Sequence, residues 1–284
     1  MRKAMNGAER LAQRVSTALT IVALITSVAS FFFWRVFHRD VPMGIGNLRG
    51  TALAMLAIAV PLLIASMVLA ARGSLRARFV WLGCLAYIAY NAVMFCFASH
   101  FNSYFLLFTT LLALSFWSLL TLVRAFDLAA VRTATSRVAC RTVAVYLLVC
   151  AAAFALLWLQ AVVPATLHNT MPTAIEEAGL TQNTVWVLDF AFTFPLMVVG
   201  SVWLWQRRPW GHIVGGMMVI TLTIETAGIA IDQVFGHLHD PSAPLAAVPV
   251  MLAFTGAGLV FSAVFLSGVS ERREPPPQLT GHER

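Results

Sequence analysis

Charge is scarce in this chain. Only 11% of its 284 residues are Asp, Glu, Lys or Arg, while 60% are hydrophobic and mean hydropathy is +0.81. A soluble domain carries roughly a quarter of its residues as charges to keep its surface wet. Lipid must therefore be the solvent over most of this surface. Lysine is scarcer still, since Lys3 is the only one. A retinal Schiff base needs a lysine inside a helix, and none is there. The four cysteines are Cys84, Cys96, Cys140 and Cys150. They form no CxxC pair and fall in or beside apolar runs, which predicts packing residues without disulfides or cysteine-bound metal. The chain also lacks GxSxG, HExxH, P-loop and dinucleotide-binding patterns, so nucleotide-driven chemistry within it is not expected.

Long apolar runs are what the chain has. A bilayer core takes about 20 apolar residues in a helix. Eight segments qualify: Val15 to Trp34, Thr51 to Ala71, Phe79 to Ser99, Ser103 to Val123, Thr142 to Val163, Thr184 to Gln206, Ile213 to Val234 and Val248 to Gly268. The expected fold is all-α, a polytopic transmembrane helical bundle of about eight spans. It forms one domain over 15–268, between an N-terminal tail, 1–14, and a disordered tail, 269–284. The first run lacks a clean cleavage site and reads as an uncleaved anchor.

The net charge of +7 is not that of a nucleic-acid binder, because the basic residues sit in short clusters between apolar runs. Sixteen of them fall on one side of the eight spans. Only Arg35, Arg39 and Arg49 fall on the other, all in the first loop. The positive-inside rule places the sixteen, and both termini, in the cytoplasm of an inner membrane. Trp34, Trp81, Trp186, Trp203, Trp205 and Trp210 fall near span ends, as an interfacial belt requires. Lipid is the one assured partner.

Pro61 and Pro195 sit centrally in the second and sixth spans, where each should kink its helix and free a carbonyl. One offset in sequence aligns these prolines, and it also aligns Asn91 with Glu225. That hints at two parallel four-helix halves.

Several stretches carry a resemblance: RGSLRARFVWLG from Arg72 to Gly83, YNAVMFCFASHFNSYFLLF from Tyr90 to Phe108, VLDF from Val187 to Phe190, and LWQRRPWG from Leu204 to Gly211. Over roughly residues 50 to 230 the chain resembles a group of uncharacterised bacterial multispanning membrane proteins. The resemblance implies that Asn91, Asn102 and Asp189 lie in family motifs. It implies no substrate.

Ionisable groups inside hydrocarbon cost about 2.5–3.5 kcal/mol on insertion scales, so each is informative. Asp189 lies five residues into the sixth span. Glu225 lies deep in the seventh, and Asp232 lies nearer its outer mouth on the same face. Thr221 extends that stripe inward, and Asn91 and Tyr87 of the third span stand at similar depth. The expected core lacks any basic side chain to neutralise these acids. They point to an outward-facing pocket for a small cation, proton or solute, in a transporter or a ligand-binding sensor. His237, His239 and Asp240 form an HxHD run in the last outer loop and could ligate a divalent metal. An outer-face metal-dependent membrane enzyme is therefore the alternative to transport, and a non-catalytic assembly module is a third reading. No cofactor beyond such a metal is expected. Glu176 and Glu177 lie in a long outer loop expected to form a short helix, and Gly211 and Gly215 form a GxxxG packing signal.

Overall fold

A computed structural model describes residues 7–270. Among the described residues eight helices are long and apolar enough to cross a membrane. They are α1 (Gly7–Phe32), α2 (Pro42–Ala71), α3 (Leu75–Phe97), α4 (Phe105–Arg124), α5 (Arg137–His168), α6 (Thr184–Trp205), α7 (Pro209–His239) and α8 (Ala247–Ser267). The chain is an all-α polytopic bundle and an integral membrane protein.

Local chemistry sets the helix ends. Pro42 and Pro209 occupy first turns, where a missing N–H costs nothing. Ser74 Oγ accepts from Ala77 N and Asn183 Oδ1 from Trp186 N, capping α3 and α6.

Several helices outrun their apolar cores. Within the described residues α1 is already helical at Gly7, ahead of Val15, and Glu9 on this added stretch pairs with Arg78 of α3. α2 begins at Pro42 rather than Thr51, which moves Arg49 from the first loop into a span. α5 passes Pro164 and closes on left-handed Asn169. α7 has 31 residues, about 46 Å at 1.5 Å per residue. Hydropathy marks only the oily core, whereas the backbone ladder runs on until a cap or a turn stops it. A short helix, Leu128–Ala134, joins α4 to α5. Another, Thr173–Glu177, lies in the loop before α6. At the tail, Val269 bridges Thr135, and Ser270 N bonds to Ala134 O. The rest of the tail, 271–284, lies outside the described residues.

The two halves follow one plan. Within the first, α1 packs on α2 and α4, and α3 on α2 and α4. Within the second, α5 packs on α6 and α8, and α7 on α6 and α8. Backbone details repeat at a spacing of 134 residues, the spacing between Asn91 and Glu225. A π-helical turn spans Met55–Ala59 before Pro61, and another spans Asp189–Thr193 before Pro195. In each, an amide reaches five residues back, Val60 to Met55 and Phe194 to Asp189. This is how these helices accommodate the proline that follows. At the next hairpin Gly73 and Arg207 both take positive φ, +97° and +57°. Each sits in a Schellman pattern, Ser74 N to Leu69 O and Arg208 N to Trp203 O.

Equivalent residues also meet each other. Asn91 bonds Glu225, and a methyl on Gly83 would come within 3.4 Å of the carbonyl of its equivalent, Met217. α3 and α7 therefore meet through equivalent positions, but the packing between the halves is not symmetric: α2 lies close along α7, whereas α6 meets α3 only near its start. α7 is the most enclosed span, 72% buried over its apolar window against 17% for α8.

A polar seam between the two halves

The seam is built around α7. Glu225 lies 16 residues from its start, near mid-helix. Asn91 of α3 is 3% exposed, and its Nδ2 donates to Glu225 Oε2 at 2.9 Å and to Tyr87 O at 3.1 Å. Asp189 lies on the π turn of α6. Its Oδ2 accepts from Trp158 Nε1 of α5 at 2.8 Å, and its Oδ1 from the Tyr90 hydroxyl of α3 at 3.2 Å. Thr193, at the end of the same turn, lies near that carboxyl. The extra residue of a π turn rotates a side chain off the regular helix register, and here the displaced residue is the acid.

On the other side of Glu225 lies Asp232. Its Oδ1 is buried without a hydrogen-bond partner, and the Thr51 hydroxyl of α2 stands against the carboxyl. Glu225 lies within electrostatic reach of both Asp189 and Asp232. Among the described residues none of the three acids forms an ion pair; the two pairs present are Arg78–Glu9 and His100–Asp40.

A glycine stripe brings α2 against this face. A Cβ on Gly50 would come within 2.5 Å of Asp232 Cα, Gly46 faces the Phe235 carbonyl, and Gly236 faces Asn47. This small-xxx-small pattern at Gly46 and Gly50 brings two backbones together, as it does in lipid generally. Gly211 and Gly215 serve the same purpose between α6 and α7.

The seam is mostly enclosed. Asp189 is 8% exposed, while Glu225 and Asp232 keep part of their surface accessible. Two hollows lie elsewhere. One is beside Glu9 and Arg78, and the other is a lipid-facing groove at Leu24 and Val28.

Of the residues anticipated from sequence, Asn91, Glu225, Asp189 and Asp232 are brought into one seam. Thr221 is not part of it, because its hydroxyl bonds to the Gly83 and Met217 carbonyls. Asn102 caps the turn before α4, accepting from Tyr104 N. His237 and His239 lie on the last turn of α7, not in a loop. Two residues apart on a helix, they point to different sides. His237 Nδ1 faces the Ala243 carbonyl at 2.8 Å, and His239 Nε2 faces Arg49 Nη1 at 2.7 Å. Asp240 bonds the Ser242 hydroxyl and amide. Among the described residues no group of three His, Cys, Asp or Glu is placed to hold a metal.

Tyr90, Trp158 and Thr51 are site residues that the sequence reading did not select. Trp158 had a usable signal: a tryptophan away from the span edges needs a partner for its indole N–H. Arg49 also escaped. It lies 5.2–5.8 Å from the rings of Phe31, Trp34 and Phe235, in a cation–π cage beyond Asp232.

No family model, curated protein or solved structure matches the chain.

Proposed function

We propose that the protein is a cation- or proton-coupled membrane transporter, with Glu225 as its central binding group and Asp189 and Asp232 flanking it. The observation that carries this reading is the Asn91–Glu225 hydrogen bond between equivalent positions of the two halves, in a seam whose acids form no ion pair among the described residues. A carboxyl so placed must be protonated, hydrogen-bonded or bound to a cation. This one sits where two equivalent halves would move against each other, as in transporters built from parallel repeats. The arginine distribution supports an outer position for the Asp232 end and cytoplasmic termini.

Thermal unfolding of the purified protein tests the reading. The midpoint is expected to move with pH or with one of Na⁺, K⁺ and Li⁺, and Glu225→Gln is expected to remove that dependence. If wild type and Glu225→Gln moved in parallel under every condition, Glu225 would not be the binding group.

A further inference from the structure

Glu225 and Asp232 are seven residues apart, about 10.5 Å along α7. That exceeds the hydrogen-bond reach needed for direct proton transfer between their carboxyls. Gly228 lies between them on the same helix face. The space its missing side chain leaves is filled by Tyr87 of α3. A methyl on Gly228 would stand 3.1 Å from the Tyr87 hydroxyl oxygen and 3.6 Å from its ring. Tyr87 is 1% exposed, and its hydroxyl has no hydrogen-bond partner. Phenylalanine would fill the same volume without leaving a buried hydroxyl unsatisfied. Asp232 Oδ1, on the same face, is orphaned too.

We propose that Tyr87 relays protons between Asp232 and Glu225. The proposal rests on Glu225 being the group that binds the proton. A hydroxyl both donates and accepts, so it can pass a proton without carrying charge. In the inward step the Tyr87 O–H bond breaks and its proton passes through one bridging water to the Glu225 carboxylate. The Tyr87 oxygen takes the proton of the Asp232 carboxyl through another. Tyr87 is neutral before and after, and the negative charge has moved from Glu225 to Asp232. Asp232 then regains a proton from water at its own end of α7.

The surroundings suit this transfer. α3 adds Tyr90 and Asn91, and the π turn of α6 adds Asp189. α2 presents Thr51 to Asp232, with Arg49 and His239 beyond it. α8 faces α7 with the neutral hydroxyls of Thr255 and Ser262.

The test follows the Glu225 carboxyl by time-resolved infrared spectroscopy after a pH jump on full-length protein in lipid nanodiscs. The Glu225 band is the one that Glu225→Gln abolishes. Tyr87→Phe keeps the ring and is expected to slow the band's change by about tenfold or more, with its final amplitude intact. Gly228→Ala, which crowds the hydroxyl while leaving it present, is expected to slow it as well. An unchanged rate in both variants overturns the relay. So does a changed amplitude at unchanged rate, which assigns Tyr87 to packing. If Glu225→Gln abolishes no pH-responsive band, the binding role of Glu225 falls, and the relay falls with it.

Discussion

Gly50→Ala is the sharpest probe of how the seam is held. A methyl at Gly50 would lie 2.5 Å from Asp232 Cα and 2.9 Å from both its amide nitrogen and Oδ1. Carbon contacts are comfortable near 3.5–4.0 Å, so α2 and α7 must part by about 1 Å. Backbone cannot swing aside as a long side chain would. Overpacking of this kind costs about 1–3 kcal/mol, whereas Gly to Ala within a helix returns roughly 1 kcal/mol. Gly256→Ala on α8 is the matched control, because a methyl there meets nothing within 4 Å. It carries the propensity gain alone. Gly50→Ala should therefore be less stable than Gly256→Ala by about 1–3 kcal/mol, read from unfolding of purified protein in mixed micelles. Equal stabilities would mean that α2 does not approach α7 through Gly50, and the placement of Thr51 against Asp232 would fail with it.

Two further outcomes are expected. A double-mutant cycle of Asn91→Ala and Glu225→Ala should give a coupling energy of about 0.6 kcal/mol and at most about 1.7, as interhelical hydrogen bonds in lipid do; additive effects would mean that the two side chains do not bond. Asp240, outside the spans, is held below the usual carboxylate range by hydrogen bonds from the Ser242 hydroxyl and amide. Its stabilising effect is present above the ordinary Asp value and is lost as pH falls through the depressed one. Ser242→Ala should therefore raise the Asp240 titration midpoint measured by NMR, and an unchanged midpoint would show that the hydroxyl does not bind it.

Much of the architecture was legible in the sequence. Transfer into hydrocarbon is a sum over neighbouring residues, so the eight cores stand out without any knowledge of packing. The rarity of charge within them pointed to Asp189, Glu225, Asp232 and Asn91. Helix ends were less legible, because a backbone ladder runs beyond its oily core until a cap or a turn stops it. That error put Arg49, His237 and His239 in loops. The GxxxG spacing of Gly46 and Gly50 was readable but fell in a stretch taken for loop.

The repeat shows where a sequence stops speaking. Two aligned pairs, Pro61 with Pro195 and Asn91 with Glu225, were visible in the letters. The π turns and the left-handed pair Gly73 and Arg207 were not, because a backbone conformation can persist while its side chains diverge. Local hydropathy therefore determined that this chain spans a membrane about eight times. Tertiary structure alone decided that Asn91 meets Glu225, that Trp158 and Tyr90 hold Asp189, and that Tyr87 fills the space at Gly228. Those contacts join residues far apart in the chain, and their geometry follows from how helices pack, which no local window of sequence encodes.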